Sequence, residues 1–130
     1  MVDFEREITP DGIAIVRVGG WLEKFSCPYF AGCMEDLAKD GFKEIIIDCS
    51  DLGLISNSCL NNLIRPSNRL KDSNGKVALV DVNTPITKFI GLLGLKKLFG
   101  LYSTVEDALI SARKRMSRNA KRVNRRAAAA

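Results

Sequence analysis

The sequence predicts an α/β fold, with a mixed, mostly parallel sheet of 4–5 strands and about four helices. After an N-terminal hairpin, strand patterns and amphipathic helix patterns alternate along the chain. Crossovers through a helix make consecutive strands parallel. The strand segments are almost wholly apolar, as expected where both faces of a sheet are covered. A chain of 130 residues is expected to form one domain.

The first two strands are predicted at residues 2–8 and 12–18. The residues TPDG at 9–12 join them as a turn. The glycine pair at 19–20 is expected to end the second strand. The N-terminal strand is therefore expected at an antiparallel edge of the sheet.

Ser26 is expected to cap a helix that ends near Lys39. The apolar stripe predicted for this helix consists of Phe30, Cys33, Met34, Leu37 and Ala38. A strand at residues 44–49 follows. Its three consecutive isoleucines predict an interior strand, because neighbouring side chains of a strand point to opposite faces.

The second helix is predicted to begin near residues 56–58 and to end near Lys71. Its predicted inner stripe consists of Leu60, Leu63, Ile64, Ser67 and Leu70. Pro66 is expected to kink or split this helix, because proline lacks the N–H that bonds to the preceding turn.

The alternation continues with a strand at residues 76–82. Thr84 followed by Pro85 predicts the start of a third helix. A short edge strand is predicted at residues 101–102, and Thr104 is expected to cap the last helix.

Five large apolar side chains at the ends of these elements are assigned to packing. Trp21 and Phe25 are expected in the core or at its rim rather than in a binding hot spot. Leu92, Leu93 and Leu95 are expected in the core.

Residue content excludes several kinds of chemistry. The chain has no histidine, so it has no Ser-His or Cys-His nucleophile pair. It also lacks a phosphate-binding glycine loop and a metal-ligand pattern, so no enzyme activity, metal or cofactor is expected. The four cysteines, which include no C-x-x-C pair, are expected to be reduced and buried: Cys27, Cys33, Cys49 and Cys59. Without a membrane-length apolar run or a secretory signal, a cytoplasmic protein is expected.

Positive charge is concentrated near the C-terminus. Residues 113–126 contain eight Lys or Arg and no acid, so the remainder of the chain is mildly acidic. We predict a single domain at residues 1–113 and a basic extension at 114–130, either a helical continuation or disordered. A solvated tail, docking to a partner and attraction to an anionic membrane all remain open. Nucleic-acid binding is not expected, because no aromatic residues are interleaved with the charges.

Three stretches together resemble the STAS domain family. They are GWLEKFSCPYF at 20–30, IIDCSDLGLISNSCL at 46–60 and GLKKLFGLYSTVEDAL at 94–109. The resemblance extends from residue 2 to about residue 113. It implies the fold of bacterial anti-sigma factor antagonists and of the cytoplasmic tails of anion transporters.

The resemblance also implies a non-catalytic regulatory function. Such domains bind an anti-sigma factor that is also a serine kinase, and phosphorylation of a serine at the start of the second helix dissociates the complex. The interface implied here is the 54–60 loop with the second helix. Its implied partner-binding residues are Ser56, Asn57, Ser58, Cys59, Asn61 and Asn62.

This loop departs from the D-S-S-G-L pattern of most members. Asn57 stands at the usual phosphoacceptor position, and Ser56 replaces the acidic neighbour. Because asparagine cannot accept phosphate, phosphorylation is either absent or shifted to Ser58 or Ser56. Alternatively, these residues only cap the helix, or the loop binds another ligand such as a nucleotide or a lipid component.

A second function remains open. The same helix face would dock this chain as an accessory subunit of a transporter or a stress-sensing assembly, without a phosphate switch. In either case membrane contact is expected only through a partner or through the basic tail, and a homodimer stays open.

Overall fold

A computed structural model of the protein describes residues 2–129. Met1, the first residue of the predicted domain, and Ala130, the last residue of the predicted extension, lie outside the described residues. The elements, in chain order, are β1 (Val2–Ile8), β2 (Ala14–Leu22), α1 (Cys27–Lys39), β3 (Glu44–Ile55), α2 (Asn57–Asp72), β4 (Lys76–Val80), α3 (Thr84–Leu92), β5 (Phe99–Tyr102) and α4 (Val105–Ala129).

The five strands form one sheet in the order β1-β2-β3-β4-β5. The β1 strand runs antiparallel to β2, and each of the other neighbouring pairs is parallel. The predicted fold class, a mixed and mostly parallel sheet with four helices, is therefore confirmed.

Helices cover both faces of the sheet, but unequally. Ile45 and Ile47 of β3 belong to the larger core, together with buried residues of α1, α2 and α3. Ile46 belongs to a smaller core with Ala108 and Ala112 of α4. The three isoleucines are at most 1% exposed, which confirms that this strand lies in the interior.

Two strands extend further than predicted. The β2 strand continues through the glycine pair at 19–20 to Leu22, and β3 continues past Cys49 to Ile55. The extended ends pair with each other, and the register shifts on either side of the glycines. Glycine at a bulge lets the strand bend without ending, and this is why the glycine signal was misleading.

Three helix details also differ from prediction. Ser26 precedes α1, but its hydroxyl bonds back to the Glu23 N–H and the Trp21 carbonyl and does not cap the helix. The N-cap of α3 is Asn83 rather than Thr84, because the Asn83 Oδ1 accepts a hydrogen bond of 2.9 Å from the Ile86 N–H. The α2 helix is not split at Pro66 but continues through it to Asp72. In α4 the predicted cap is confirmed, since Thr104 Oγ1 accepts from the Asp107 N–H at 3.1 Å.

Several side chains that were assigned to packing are exposed. Phe25 is 88% exposed, Leu92 is 85% exposed and Trp21 is 59% exposed. All three lie at or beyond the ends of strands and helices, where the periodic apolar pattern no longer determines which face is covered. The packing prediction is wrong for them.

The α4 helix forms the second layer by itself and is fixed by ion pairs. Arg115 makes a bidentate contact to Glu44, with Nη2–Oε1 at 2.6 Å and Nε–Oε2 at 2.9 Å. Burial raises the pKa of Glu44, because the loss of hydration outweighs the hydrogen bonds from Arg115. At the exposed edge, the hydrogen bond from Arg113 lowers the pKa of Asp11 to about 2.

The helix passes without interruption across the predicted boundary between the domain, which ends at residue 113, and the basic extension, which begins at residue 114. Beyond Met116 most of its side chains are exposed. Within residues 2–129, none of the helices combines the length and apolar character that crossing a bilayer requires.

Replacing Arg115 by methionine is expected to lower the free energy of unfolding by about 3 kcal/mol, because the buried Glu44 carboxylate loses its partner. Urea denaturation measures this loss. The control Arg125→Met removes an exposed charge from α4 and is expected to change stability by less than about 0.5 kcal/mol. The double variant Glu44→Met/Arg115→Met is expected to recover most of the loss. An Arg115→Met variant as stable as the parent would contradict this account.

Candidate functional site

The predicted partner-binding residues lie in the first two turns of α2, directly after the central strand. The turn follows the extended carboxyl end of β3, which pairs with the extended end of β2. The Ser56 N–H donates a hydrogen bond of 2.8 Å to the Leu22 carbonyl, so the helix start is held against the end of β2. The 54–60 loop is thus the last two residues of β3 followed by a helix start.

Ser56 is the N-cap of α2. Its backbone is extended, and its Oγ accepts a hydrogen bond of 3.1 Å from the Cys59 N–H. The same oxygen lies 3.2 Å from Ser58 Oγ. The capping role that the sequence left open therefore belongs to Ser56, while Asn57 and Ser58 carry none of this cap.

Exposure separates the predicted residues into two groups. Asn57, Ser58, Asn61 and Asn62 are exposed and Ser56 is half-buried. Cys59 is fully buried, so the prediction that it contributes to a partner surface is corrected. Its N–H already bonds to the Ser56 cap, and its side chain points into the core that α1 and α2 share. We refer to the other five residues as the α2 turn surface.

Cys59 is joined by a disulfide to Cys27 at the start of α1, with the two Cα atoms 5.4 Å apart. The expectation that all four cysteines are reduced is wrong for this pair, because the sequence does not reveal that two helix starts meet. Asn62 Nδ2 donates to Cys27 Sγ at 3.6 Å. Cys33 and Cys49 are free, and burial raises the pKa of Cys49 to about 12.

Asn83, the residue before α3, also contacts the end of β3. Its Nδ2 donates to the Leu52 carbonyl at 3.2 Å and its Oδ1 caps α3. A single side chain therefore ties α3 to the strand that leads into α2. Asn83 is not among the residues predicted from the sequence, although an asparagine directly before a Thr-Pro pair is a recognisable N-cap signal.

Exposed apolar side chains lie on the paired ends of β2 and β3, just before the α2 turn in the fold. Trp21 lies opposite Leu54 in the β2–β3 register, and its ring packs over Gly53. Leu54 is 43% exposed. Aromatic residues are enriched in protein interfaces. The alternation of side chains along β2 would have predicted the exposure of Trp21. Because the strand continues past Gly20, Leu22 faces the core and Trp21 faces outward.

The electrostatics of the turn favour an anion over a cation. The first turn of α2 carries no acidic residue. The N–H groups at a helix start and the helix dipole stabilise negative charge there. The turn therefore presents neutral hydroxyl and amide groups at a helix start whose dipole favours negative charge.

The family profile and the similar proteins indicate the same family for this chain. The sequence profile of the STAS domain family matches residues 7–108. The anti-sigma-F factor antagonist of Mycobacterium tuberculosis is 26% identical over 79% of this chain and 84% of its own length.

Solved structures share the fold. The crystal structure of an anti-sigma factor antagonist from Mycobacterium paratuberculosis superposes with a TM-score of 0.77 at 25% identity, covering 87% of this chain and 95% of that one. The crystal structure of a chain from Thermotoga maritima, titled a putative anti-sigma factor antagonist, has a TM-score of 0.77 at 22% identity, covering 85% and 94%.

Replacing Ser56 by alanine is expected to cost about 1 kcal/mol of unfolding free energy, because the Cys59 N–H loses its acceptor. Urea denaturation followed by circular dichroism measures the loss. Ser58→Ala is the matched control: this hydroxyl caps nothing, so a change under about 0.5 kcal/mol is expected. Ser56→Asn keeps a capping oxygen and is expected to stay near the parent value. Equal losses at both serines would contradict the assignment of the cap.

Proposed function

The chain belongs to the STAS domain family, and on this premise we propose that it is a non-catalytic, cytoplasmic partner-switching regulator. It binds an anti-sigma factor with serine kinase activity through the α2 turn surface. The names of its relatives, which are anti-sigma factor antagonists, support this class of partner.

One observation carries the proposal: the α2 turn is exposed but held rigidly. Ser56 is bonded to β2, the neighbouring Cys59 is linked to α1, and Asn83 supports the strand behind them. A surface that is already ordered loses little conformational entropy when it binds, which favours recognition. Trp21 and Leu54, on the paired strand ends before the turn, are exposed apolar side chains that a partner would also cover.

Phosphorylation is expected to be absent or to fall on Ser58. Asn57 cannot accept a phosphate. Ser56 is half-buried at the N-cap position, so its hydroxyl is less accessible to a kinase than that of Ser58. Ser58 is exposed and lies in the first turn, where the helix dipole stabilises the charge that a phosphate adds.

A second function, as an accessory subunit of a larger assembly, is favoured by the exposure of Phe25 and Leu92. Both are large apolar side chains that a neighbouring subunit would remove from water. This alternative uses the same α2 turn surface without a phosphate switch. A stable hetero-complex with a transporter subunit, seen by sedimentation, would favour it over the regulator.

Calorimetric titration of the chain with the purified anti-sigma factor kinases of its source organism is expected to identify one binding partner. Asn57→Asp is expected to weaken that complex by at least about tenfold, because the partner must then bury a negative charge. The aspartate also suits a helix N-terminus, so the variant stays folded. Asn124→Asp, the same change on the exposed second half of α4, is the control and is expected to have little effect. If no kinase binds, or Asn57→Asp binds as tightly as the parent, the proposed interface is wrong.

Incubation with that kinase and ATP is expected to add at most one phosphate, as measured by intact mass. The Ser58→Ala variant is expected to show none, because Ser56 is half-buried and Asn57 has no hydroxyl. Ser56→Ala serves as the control and is expected to behave like the parent. A phosphate that persists in Ser58→Ala would exclude Ser58 as the acceptor.

A further inference from the structure

A basic groove of about 320 Å³ lies at the end of the parallel strands opposite to the α2 turn surface. Its residues at 74–76 and 97–98 lie at the amino ends of β4 and β5, whereas α2 begins after the carboxyl end of β3. The groove is therefore separate from the proposed partner surface. Its lining residues are Lys71, Asn74, Gly75, Lys76, Lys97, Leu98, Arg115, Arg118, Asn119 and Arg122.

Positive charge dominates this groove. Six of the ten lining residues are Lys or Arg, and none of the ten is acidic. Arg115 is neutralised by Glu44. None of the ion pairs found within residues 2–129 involves the other five cations, Lys71, Lys76, Lys97, Arg118 and Arg122.

Three separate parts of the chain contribute these cations. Lys71 and Lys76 come from the end of α2 and the start of β4, and Lys97 comes from the α3–β5 connection. Arg118 and Arg122 come from α4. The cations therefore surround a compact volume instead of following one line along a surface.

The arginine side of the groove is fixed in place. Positions 115, 118 and 122 share one face of α4, because their spacings of three and four residues match a helical turn. The Arg115–Glu44 pair anchors this face, and Asn119 Nδ2 donates to the Asn74 carbonyl at 2.9 Å. Like charges four residues apart destabilise a helix, so Arg118 and Arg122 together gain from a bound anion.

We propose that this groove binds the polyphosphate group of a small molecule. Phosphate oxygens match the paired N–H groups of arginine, and several adjacent phosphates can contact lysines and arginines from three directions at once. The volume is near the lower limit of about 300 Å³ for small-molecule sites. The carboxylates of an acidic peptide are spread along an extended chain and suit a linear row of cations. This inference goes beyond the proposed function and does not rest on it.

Isothermal titration of the full chain with sodium tripolyphosphate is expected to show one site, with binding at least about tenfold tighter than that of inorganic phosphate. Affinity is expected to fall as salt rises, because the groove is open to solvent. ATP is the second probe: tighter binding than tripolyphosphate would identify a nucleotide as the source of the polyphosphate. Vesicles of phosphatidylcholine with a phosphatidylinositol bisphosphate are the third probe.

Two sets of variants test the location. Arg118→Gln/Arg122→Gln is expected to weaken tripolyphosphate binding by at least about tenfold, and Lys97→Gln, which is outside α4, by about threefold or more. The control Lys121→Gln/Arg125→Gln removes the same charge from α4 at positions that do not line the groove, and a change under about twofold is expected. All five side chains are exposed, so the variants are expected to remain folded.

Equal losses in the two double variants would overturn the proposal, because they would reflect general attraction to a basic helix. Unchanged binding by the Lys97→Gln variant would also contradict a site formed by three separate parts of the chain. Binding to the vesicles or to duplex DNA without binding to tripolyphosphate would overturn it in favour of a macromolecular surface.

Discussion

The central strand β3 is buried on both of its faces, and the rest of the structure depends on this burial. Ile45 and Ile47 pack against the layer that α1, α2 and α3 form, while Ile46 packs against α4. Each such side chain contributes about 1.5–3 kcal/mol when it leaves water. A shift of one residue would exchange the two faces, so the register of β3 is strongly constrained. The position of its carboxyl end, and hence of the α2 turn, follows from this constraint.

The α2 turn is exposed on its outer side and held in place by contacts with β2, α1 and α3 on its inner side. Ser56 is bonded to the end of β2, and the disulfide of Cys59 joins α2 to α1. Asn83 bonds to the β3 carbonyls and so adds α3 to the same support. The four elements around the turn therefore hold one surface whose outward groups are neutral hydroxyls and amides. A partner that fits this surface would be sensitive to a single added charge, since that charge would have to lose its hydration in the interface.

The α4 layer has a different physical basis from the rest of the core. Its contact with the sheet is small, and it uses alanine at Ala108 and Ala112 for close approach. The Arg115–Glu44 pair anchors the helix there, and such a pair costs more to break than it contributes to stability when intact. Beyond this anchor the helix continues past the body and carries five more Lys or Arg and no acidic residue. The uncharged side chains of the α2 turn and the basic groove thus lie at opposite ends of the sheet.

The sequence by itself determined the layered fold, because hydrophobic periodicity and apolar strand runs are local properties. It determined the order and type of every element, the Thr104 cap and the interior position of β3. The tertiary structure decided which residues meet. The Cys27–Cys59 bond, the burial of Cys59 and the continuation of β2 through its glycines all depend on segments distant in sequence. So does the exposure of Trp21 and Phe25, since a local pattern identifies an apolar side chain but not whether another element covers it.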